Sequence, residues 1–180
     1  MARVAILTPD PVDPSYAGLW PEVLARLQRA LDDAGVATAP TPWTAHVDDA
    51  AGLRGFDRVL PLLAWGYHRD HARWRRACAT WEREALPLAN PARVLAWNSD
   101  KRYLLELAAR GVAIPPTVCS ERLTAEQLDR AFDTTGADEL IVKPAVSGGA
   151  WHTRRMRRGD AVDGFPDAAM LVQPYLPSIE

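Results

Sequence analysis

In the first half of the chain, short runs of apolar residues alternate with segments in which apolar residues have helical spacing. Residues 3–7 form a compact apolar run that predicts a buried strand. Residues 19–34 place apolar side chains at intervals of three and four, which predicts a helix that ends at Gly35. The same patterns predict three more strands and one more helix: strands at 36–43, 58–65 and 94–97, and a helix at 69–85. Strands that alternate with helices predict a mostly parallel sheet, with ligands at the carboxyl ends of its strands.

Two of these segments carry further detail. Pro61 interrupts the run at 58–65, which is typical of an edge strand or of a strand end. The helix at 69–85 places Trp74, Cys78 and Trp81 on one stripe, which we expect to face a core.

The pattern changes near residue 97. Asn98 or Ser99 is suited to cap a helix that runs through residue 110 and stops at Gly111, and the prolines in 114–118 predict an extended segment. Thr124 and Gln127 have the spacing of a capping box at the start of another helix. Short strands are predicted around the following loops: 139–144, 151–156 and 170–175. We therefore expect an α/β domain at 1–97 and a small antiparallel α+β lobe at 98–180.

Composition excludes several classes of protein. The chain has 180 residues, of which 48% are hydrophobic and 24% charged, as in globular proteins. A net charge of -2 gives no reason to expect nucleic acid or a membrane surface as a partner, and the longest apolar run is too short to cross a bilayer. The N-terminus lacks a signal-peptide pattern, and Cys78 and Cys119 stand far apart. We expect a cytoplasmic protein.

The basic residues are strongly biased towards arginine. Of 21 lysines and arginines, the lysines are Lys101 and Lys143 alone. A compact ammonium is favoured where a planar guanidinium does not fit, so both lysines are candidates for a specific site. Chance placement is the alternative, because two lysines must stand somewhere, and only their positions can decide.

Lys143 ends the strand-forming run 139–144, and Ser147, Gly148 and Gly149 follow it. Neither a Walker A motif nor G-x-G-x-x-G occurs in the chain. A glycine turn between two antiparallel strands can cover a triphosphate with its backbone amides, since glycine allows close approach and positive φ. Taken alone, a plain hairpin turn explains the same residues. Lys101 adds a second cation near the start of a helix, where the helix itself favours acids.

Three segments together resemble the ATP-grasp superfamily, in particular the D-alanine–D-alanine ligase and glutathione synthetase type. They are NSDK at 98–101, IVKP at 141–144 with its small-residue loop, and Q-x-x-L-x-x-x-E at 173–180. The resemblance implies that Lys101 and Lys143 contact the nucleotide, and that Lys143 reaches the α- and β-phosphates.

The resemblance also implies roles for the residues around the two lysines. Ser147, Gly148 and Gly149 would form the phosphate lid. The adenine edge would meet a segment that consists of Gln173, Tyr175 and Leu176. Glu180 would hold the ribose hydroxyls. Two departures stand beside these matches: Gln173 replaces the commoner acid, and the lid lacks the paired serines of D-alanine ligases.

On this resemblance, residues 1–97 are a Rossmann-like pre-ATP-grasp domain on the substrate side, and 98–180 are the small nucleotide lobe. The expected cofactors are ATP and Mg²⁺, and the ligands of the metal would lie beyond residue 180, in the catalytic lobe. The expected function is ATP-dependent carboxylate–amine or carboxylate–thiol ligation through an acylphosphate, with small-molecule substrates and a possible homodimer. The chain alone is expected to be inactive. A non-catalytic nucleotide-sensing or partner-binding module is the alternative, followed by a doubly wound protein without a nucleotide.

Other polar residues have weaker signals. Thr8, Asp10, Tyr67 and His68 follow predicted strands and are candidates for substrate contacts. His68 and His71 have a spacing that would allow them to share a metal, but solvated surface histidines are the favoured interpretation.

Two segments around the second-half hairpin leave their roles open. Trp151 and His152 are equally suited to cover a nucleotide or to pack the hairpin. The arginine-rich run 154–158 has the charge to help hold a triphosphate, although a solvated turn is favoured.

Overall fold

A computed structural model describes residues 1–13 and 18–177 of the chain. The chain divides into two compact units, Met1–Trp97 and Asn98–Glu180. Glu180, the expected ribose-binding residue, lies outside the described residues. None of the described helices is long and apolar enough to cross a membrane.

The first unit is built around a parallel sheet of three strands in the order β2-β1-β3. Its elements, in chain order, are β1 (Arg3–Thr8), α1 (Trp20–Asp33), β2 (Ala37–Pro42), β3 (Arg58–Leu60), α2 (His71–Arg83) and α3 (Ala92–Asn98). The central strand β1 is buried from Val4 to Thr8, so its side chains need apolar cover on both faces of the sheet. The expected α/β class and parallel sheet are confirmed.

Each face of β1 contributes to a different part of the core. Ile6 packs in a cluster with Leu24 of α1. Ala5 and Leu7 belong to the opposite cluster, which includes Trp74 and Trp81 of α2. The predicted stripe of α2 is therefore confirmed: Trp74, Cys78 and Trp81 are all buried.

Two strand predictions in this unit need correction. The run 58–65 forms a strand only at Arg58–Leu60, because Pro61 has no N–H to continue the ladder. Residues 94–97 belong to helix α3 and not to a fourth strand. Pro91 immediately precedes this helix, and its carbonyl accepts hydrogen bonds from the amides of Val94 and Leu95. A short apolar run cannot distinguish a strand from a buried helical segment.

The second unit contains an antiparallel sheet in the order β4-β7-β5-β6. Its elements, in chain order, are α4 (Tyr103–Ala109), β4 (Val118–Ser120), α5 (Ala125–Thr135), β5 (Glu139–Pro144), β6 (Arg154–Arg157) and β7 (Met170–Pro174). Helix α5 covers one face of this sheet, with Leu128 and Phe132 packed in a cluster with Leu140 and Val142. The expected small antiparallel α+β lobe is confirmed.

The sequence predicts the first residue of α5 well and the first residue of α4 poorly. At α5 the capping box is complete: the Thr124 side chain accepts from the Gln127 amide at 3.2 Å, and Gln127 accepts from the Thr124 amide at 2.9 Å. By contrast, the helix predicted from 98 through 110 begins only at Tyr103. Lys101 therefore lies in a turn before α4, and the argument from a helix N-terminus does not apply to it.

Candidate nucleotide-binding site

The face of the second sheet that is opposite α5 borders a cavity of about 430 Å³, here called the sheet cavity. It is lined by Leu104, Pro115, Ile141, Lys143, Gln173, Pro174, Tyr175 and Leu176. Alternate residues of a strand share a face, and Ile141 pairs with Gln173 across the sheet, so these side chains meet on one wall. Its volume lies in the range of small-molecule sites.

Lys143 is the cation in the lining of the sheet cavity. It stands near the end of β5, opposite Leu171 of β7, and is half-buried. Burial lowers the pKa of its ammonium, because the charged form loses water. A cation that is kept in partly dry surroundings interacts more strongly with an incoming anion than a solvated one.

Lys101 is held beside the loop that joins β5 to β6, residues 145–153, here called the glycine loop. Its backbone amide donates to the Ala145 carbonyl at 2.8 Å, and its Nζ donates to the Ser147 carbonyl at 2.6 Å and to Ser147 Oγ at 2.8 Å. Burial lowers the pKa of Lys101 to about 8, and the positive charge of Lys143 adds to the effect. The structure thus brings the two lysines into electrostatic contact.

The glycine loop is compact and contains tight turns. The Trp151 amide donates to the Gly148 carbonyl at 3.0 Å, and the Thr153 amide to the Ala150 carbonyl at 2.9 Å. Gly149 and Ala150 both have a φ of 57°, in the left-handed region that favours glycine. The loop connects two antiparallel strands, as the sequence predicts. The left-handed conformation of Ala150 is energetically unfavourable, and backbone strain of this type is often found at functional sites.

The predicted adenine segment lines the sheet cavity with all three of its residues, Gln173, Tyr175 and Leu176. The Tyr175 amide donates to the Glu139 carbonyl at 2.9 Å, which ties the end of β7 to the start of β5. Gln173 Nε2 donates to Thr117 Oγ1 at 2.8 Å. Lys143, Gln173, Tyr175 and Leu176 are therefore brought together in one lining. Lys101 is not part of that lining and lies beside the glycine loop, to which it donates hydrogen bonds.

Two contacts near the sheet cavity were not foreseen from the sequence. Thr117 reaches Gln173 across 56 residues of sequence. Arg155 stacks on Tyr175, with its guanidinium carbon 3.6 Å from the ring centroid, and also pairs with Glu139. The sequence signal for the ion pair between Arg155 and Glu139 is the alternation of arginines along β6. This alternation places Arg155 and Arg157 on the same face of the sheet as Glu139.

The arginine run is thereby explained without phosphate. Arg155 and Arg157 both bind the Glu139 carboxylate, and Arg158 pairs with Asp133 at 2.7 Å. The run forms strand β6 and not a solvated turn, which corrects that interpretation. Trp151 and His152, for which two roles were open, contact each other edge to face at 4.3 Å between ring centroids.

The first unit has a smaller cavity of about 180 Å³ near the carboxyl end of β1. Of the four residues predicted to contact substrate, Asp10 lines it. Thr8 is 3% exposed and His68 is 7% exposed, so both side chains point into the protein. Tyr67 packs against Trp74, with 5.3 Å between ring centroids.

The interpretation of His68 as a solvated surface histidine is therefore wrong. Its ring is buried against Tyr67, at 5.9 Å between centroids, because the turn before α2 folds it inward. Among the described residues, no group of three or more His, Cys, Asp and Glu side chains is placed to hold a metal ion.

Comparisons with known proteins agree with this architecture. Residues 4–90 match the family described as the N-terminal domain of D-cycloserine synthetase DcsG. The search of curated proteins found no match.

Several solved structures share the fold. D-cycloserine synthetase DcsG has a TM-score of 0.71 and 22% identity, over 99% of this chain and 61% of that one. A RimK domain ATP-grasp protein from Sphaerobacter thermophilus has a TM-score of 0.65 and 19% identity, over 98% and 65%. D-alanine–D-alanine ligase from Bacillus anthracis, complexed with ATP, has a TM-score of 0.64 and 17% identity, over 98% and 59%. The resemblance to the ATP-grasp superfamily is confirmed at the level of the fold, and the chain spans about three fifths of the length of these proteins.

Proposed function

We propose that this chain is the ATP-binding portion of an ATP-dependent ligase that joins a carboxylate to an amine or a thiol. The observation that carries the proposal is the position of the two lysines of the chain. Lys143 lines the sheet cavity, and its positive charge helps to lower the pKa of Lys101, which donates hydrogen bonds to the glycine loop. The fold shared with ATP-grasp ligases supports the same conclusion.

Each part of the site suits one part of ATP. The apolar wall of the sheet cavity, with Leu104 and Ile141, suits the face of a purine, and Gln173, Tyr175 and Leu176 would meet its edge. The ammonium groups of Lys101 and Lys143 suit the phosphates, because phosphoryl transfer depends on positioning and on compensation of negative charge.

The glycine loop would cover the phosphates. Ser147 of this loop binds the Lys101 ammonium, Gly148 and Gly149 follow it in the chain, and backbone amides in such turns bind anions well. Glu180 would hold the ribose hydroxyls. Mg²⁺ would supply further charge compensation, and the described residues do not offer a cluster that fits it. We propose that its ligands belong to a catalytic lobe beyond residue 180.

The reaction proposed for the whole enzyme has two steps. The substrate carboxylate takes the γ-phosphoryl group of ATP, with ADP as the leaving group, and becomes an acylphosphate. The amine or thiol then attacks the acyl carbon, loses a proton and displaces inorganic phosphate. Asp10, at the cavity of the first unit, is the residue best placed for a contact on the substrate side.

Calorimetric titration of the chain with ATP tests the nucleotide assignment. We expect binding, and we expect Lys143→Ala to weaken it by about ten- to a hundredfold, the range for a lost hydrogen bond to a charged group. Arg122→Ala is the matched control, because it removes a cation from the same unit. The Arg122 side chain is 79% exposed. The nucleotide assignment is wrong if the chain does not bind ATP, or if both variants bind it as well as the parent.

A further inference from the structure

The hydroxyl of Thr117 has its proton committed to a backbone carbonyl. Thr117 Oγ1 lies 2.7 Å from the Pro115 carbonyl oxygen, in the extended segment before β4. A carbonyl oxygen only accepts, so the hydroxyl must be the donor in this contact. Since a hydroxyl has a single proton, Thr117 Oγ1 is an acceptor for every other neighbour.

This restriction determines the orientation of the Gln173 side-chain amide. The amide lies 2.8 Å from Thr117 Oγ1, and an acceptor at that distance requires a donor. The atom that faces Thr117 is therefore the nitrogen, Nε2. An oxygen in its place would put two acceptors in contact. The orientation of the amide therefore follows from the hydrogen bond between Thr117 and Pro115, and not from which atom of the amide is drawn as nitrogen.

The other end of the amide is then the acceptor Oε1. Gln173 is a buried residue, 7% exposed, and it belongs to the lining of the sheet cavity. Within the described residues, the hydrogen bond to Thr117 is the one that its side chain makes. One of the two protons on Nε2 is used for Thr117, and Oε1 is the acceptor that the amide offers to a ligand in the cavity.

We propose that Thr117 is a positioning residue that makes Gln173 present an acceptor to the sheet cavity, and that this selects a nucleobase with an exocyclic amino group over one with a keto oxygen. The inference rests on the proposed nucleotide function and adds a residue that decides between bases. An amino group donates to Oε1, whereas a keto oxygen would face it without a proton between them. Leaving buried polar groups unpaired is what makes such a site reject a close analogue.

Binding of ATP and of inosine triphosphate to this chain tests the inference, because the second nucleotide replaces the 6-amino group with a keto oxygen. We expect the parent chain to prefer ATP by about ten- to a hundredfold. Thr117→Val keeps the shape of the side chain and removes the hydroxyl, so the amide is free to turn. We expect its preference to fall to less than about a tenth of the parent value, with inosine triphosphate bound more tightly than by the parent.

Two further variants distinguish orientation from simple loss of structure. Thr117→Ser keeps the hydroxyl and should keep the preference for ATP. Gln173→Met removes the amide and should reduce the preference to the level of Thr117→Val, which provides an answer even if Thr117→Val does not fold.

An unchanged ratio of the two affinities in Thr117→Val or in Gln173→Met would overturn the inference, including the case in which both nucleotides bind equally more weakly. That result would leave the proposed function standing. Failure of the parent chain to bind ATP would overturn the proposed function and this inference with it.

Discussion

The side chain of Lys101 donates two hydrogen bonds to a single residue of the glycine loop, Ser147: one to its carbonyl oxygen at 2.6 Å and one to its hydroxyl oxygen at 2.8 Å. The two residues are 46 positions apart in the chain. The cation proposed to bind phosphate therefore already holds the loop proposed to cover it. A phosphate that takes this ammonium has to share it with Ser147 or to replace Ser147, so the loop and the nucleotide are coupled through one side chain.

The charge of Lys101 predicts a pH dependence of ATP binding. Burial, with a contribution from Lys143, lowers the pKa of Lys101 to about 8 in the free protein. An anion favours the charged form, so affinity should be highest below about pH 8 and should fall as the pH rises, by up to about tenfold per pH unit. Calorimetry between about pH 7.5 and about pH 9.5 measures it, a range above the second pKa of a phosphate group, which lies at about 6.

Lys101→Arg is the control for this profile, because a guanidinium stays charged over the whole range. Its affinity should fall less steeply with pH than that of the parent, and the remaining slope is expected from Lys143, whose pKa burial also lowers. A profile of the same slope in both proteins would show that another group is responsible.

Loss of the Ser147 hydroxyl should loosen the glycine loop. Ser147 Oγ accepts a hydrogen bond from Lys101 and donates one to the Pro144 carbonyl at 3.1 Å. Ser147→Ala removes both of these hydrogen bonds. We expect faster hydrogen exchange of the backbone amides in 145–153, by about three- to tenfold, as local opening becomes easier. Mass spectrometry of the exchanged protein measures it by segment.

Ser120→Ala is the matched control for that experiment, since it removes a serine hydroxyl that donates to the Arg122 carbonyl at 2.7 Å elsewhere in the same unit. It should leave exchange in 145–153 unchanged. Equal exchange of the loop in the parent and in Ser147→Ala would mean that the backbone contacts alone hold it.

Arg155 should support the adenine segment through Tyr175. Its guanidinium stacks on the Tyr175 ring, and a cation–π contact at a partly exposed position is worth about 0.5–1 kcal/mol. If Tyr175 meets the nucleotide, Arg155→Ala should weaken ATP binding by about two- to fivefold. Arg157→Ala removes another arginine from the same Glu139 carboxylate and should have a smaller effect. Equal losses of affinity in the two variants would point to Glu139 as the common cause.

The capping box of α5 should contribute measurably to stability. Thr124→Ala removes the side-chain acceptor for the Gln127 amide, which typically costs about 1 kcal/mol in the free energy of unfolding. Thr134→Ala is the control, because its hydroxyl donates only back to the Arg130 carbonyl one turn earlier in the same helix. Urea denaturation, followed by circular dichroism, measures the free energy of unfolding of both variants. Equal stability of the two would show that the capping box does not contribute to it.

The elements that sequence alone predicted correctly are those with a strong local signal. The continuous apolar run of β1 is buried, the helix after it forms at Trp20–Asp33, and the capping box starts α5 as expected. Local failures also have a local cause. The four apolar residues 94–97 fit a strand and a helix equally well, and packing around Leu95 in the core decided for the helix.

By itself, the sequence determined which residues have the chemistry of a nucleotide site: two lysines in an arginine-rich chain, a serine and two glycines after a strand, and a polar strand end at Gln173. Only the tertiary structure decided how they are used. The bond from Lys101 to Ser147, the burial of His68 and the orientation of Gln173 by Thr117 all depend on segments that meet when the sheets form. Periodicity reports the environment of a residue along its own element, whereas a hydrogen bond across 56 residues depends on the register of strands and loops that no local pattern encodes.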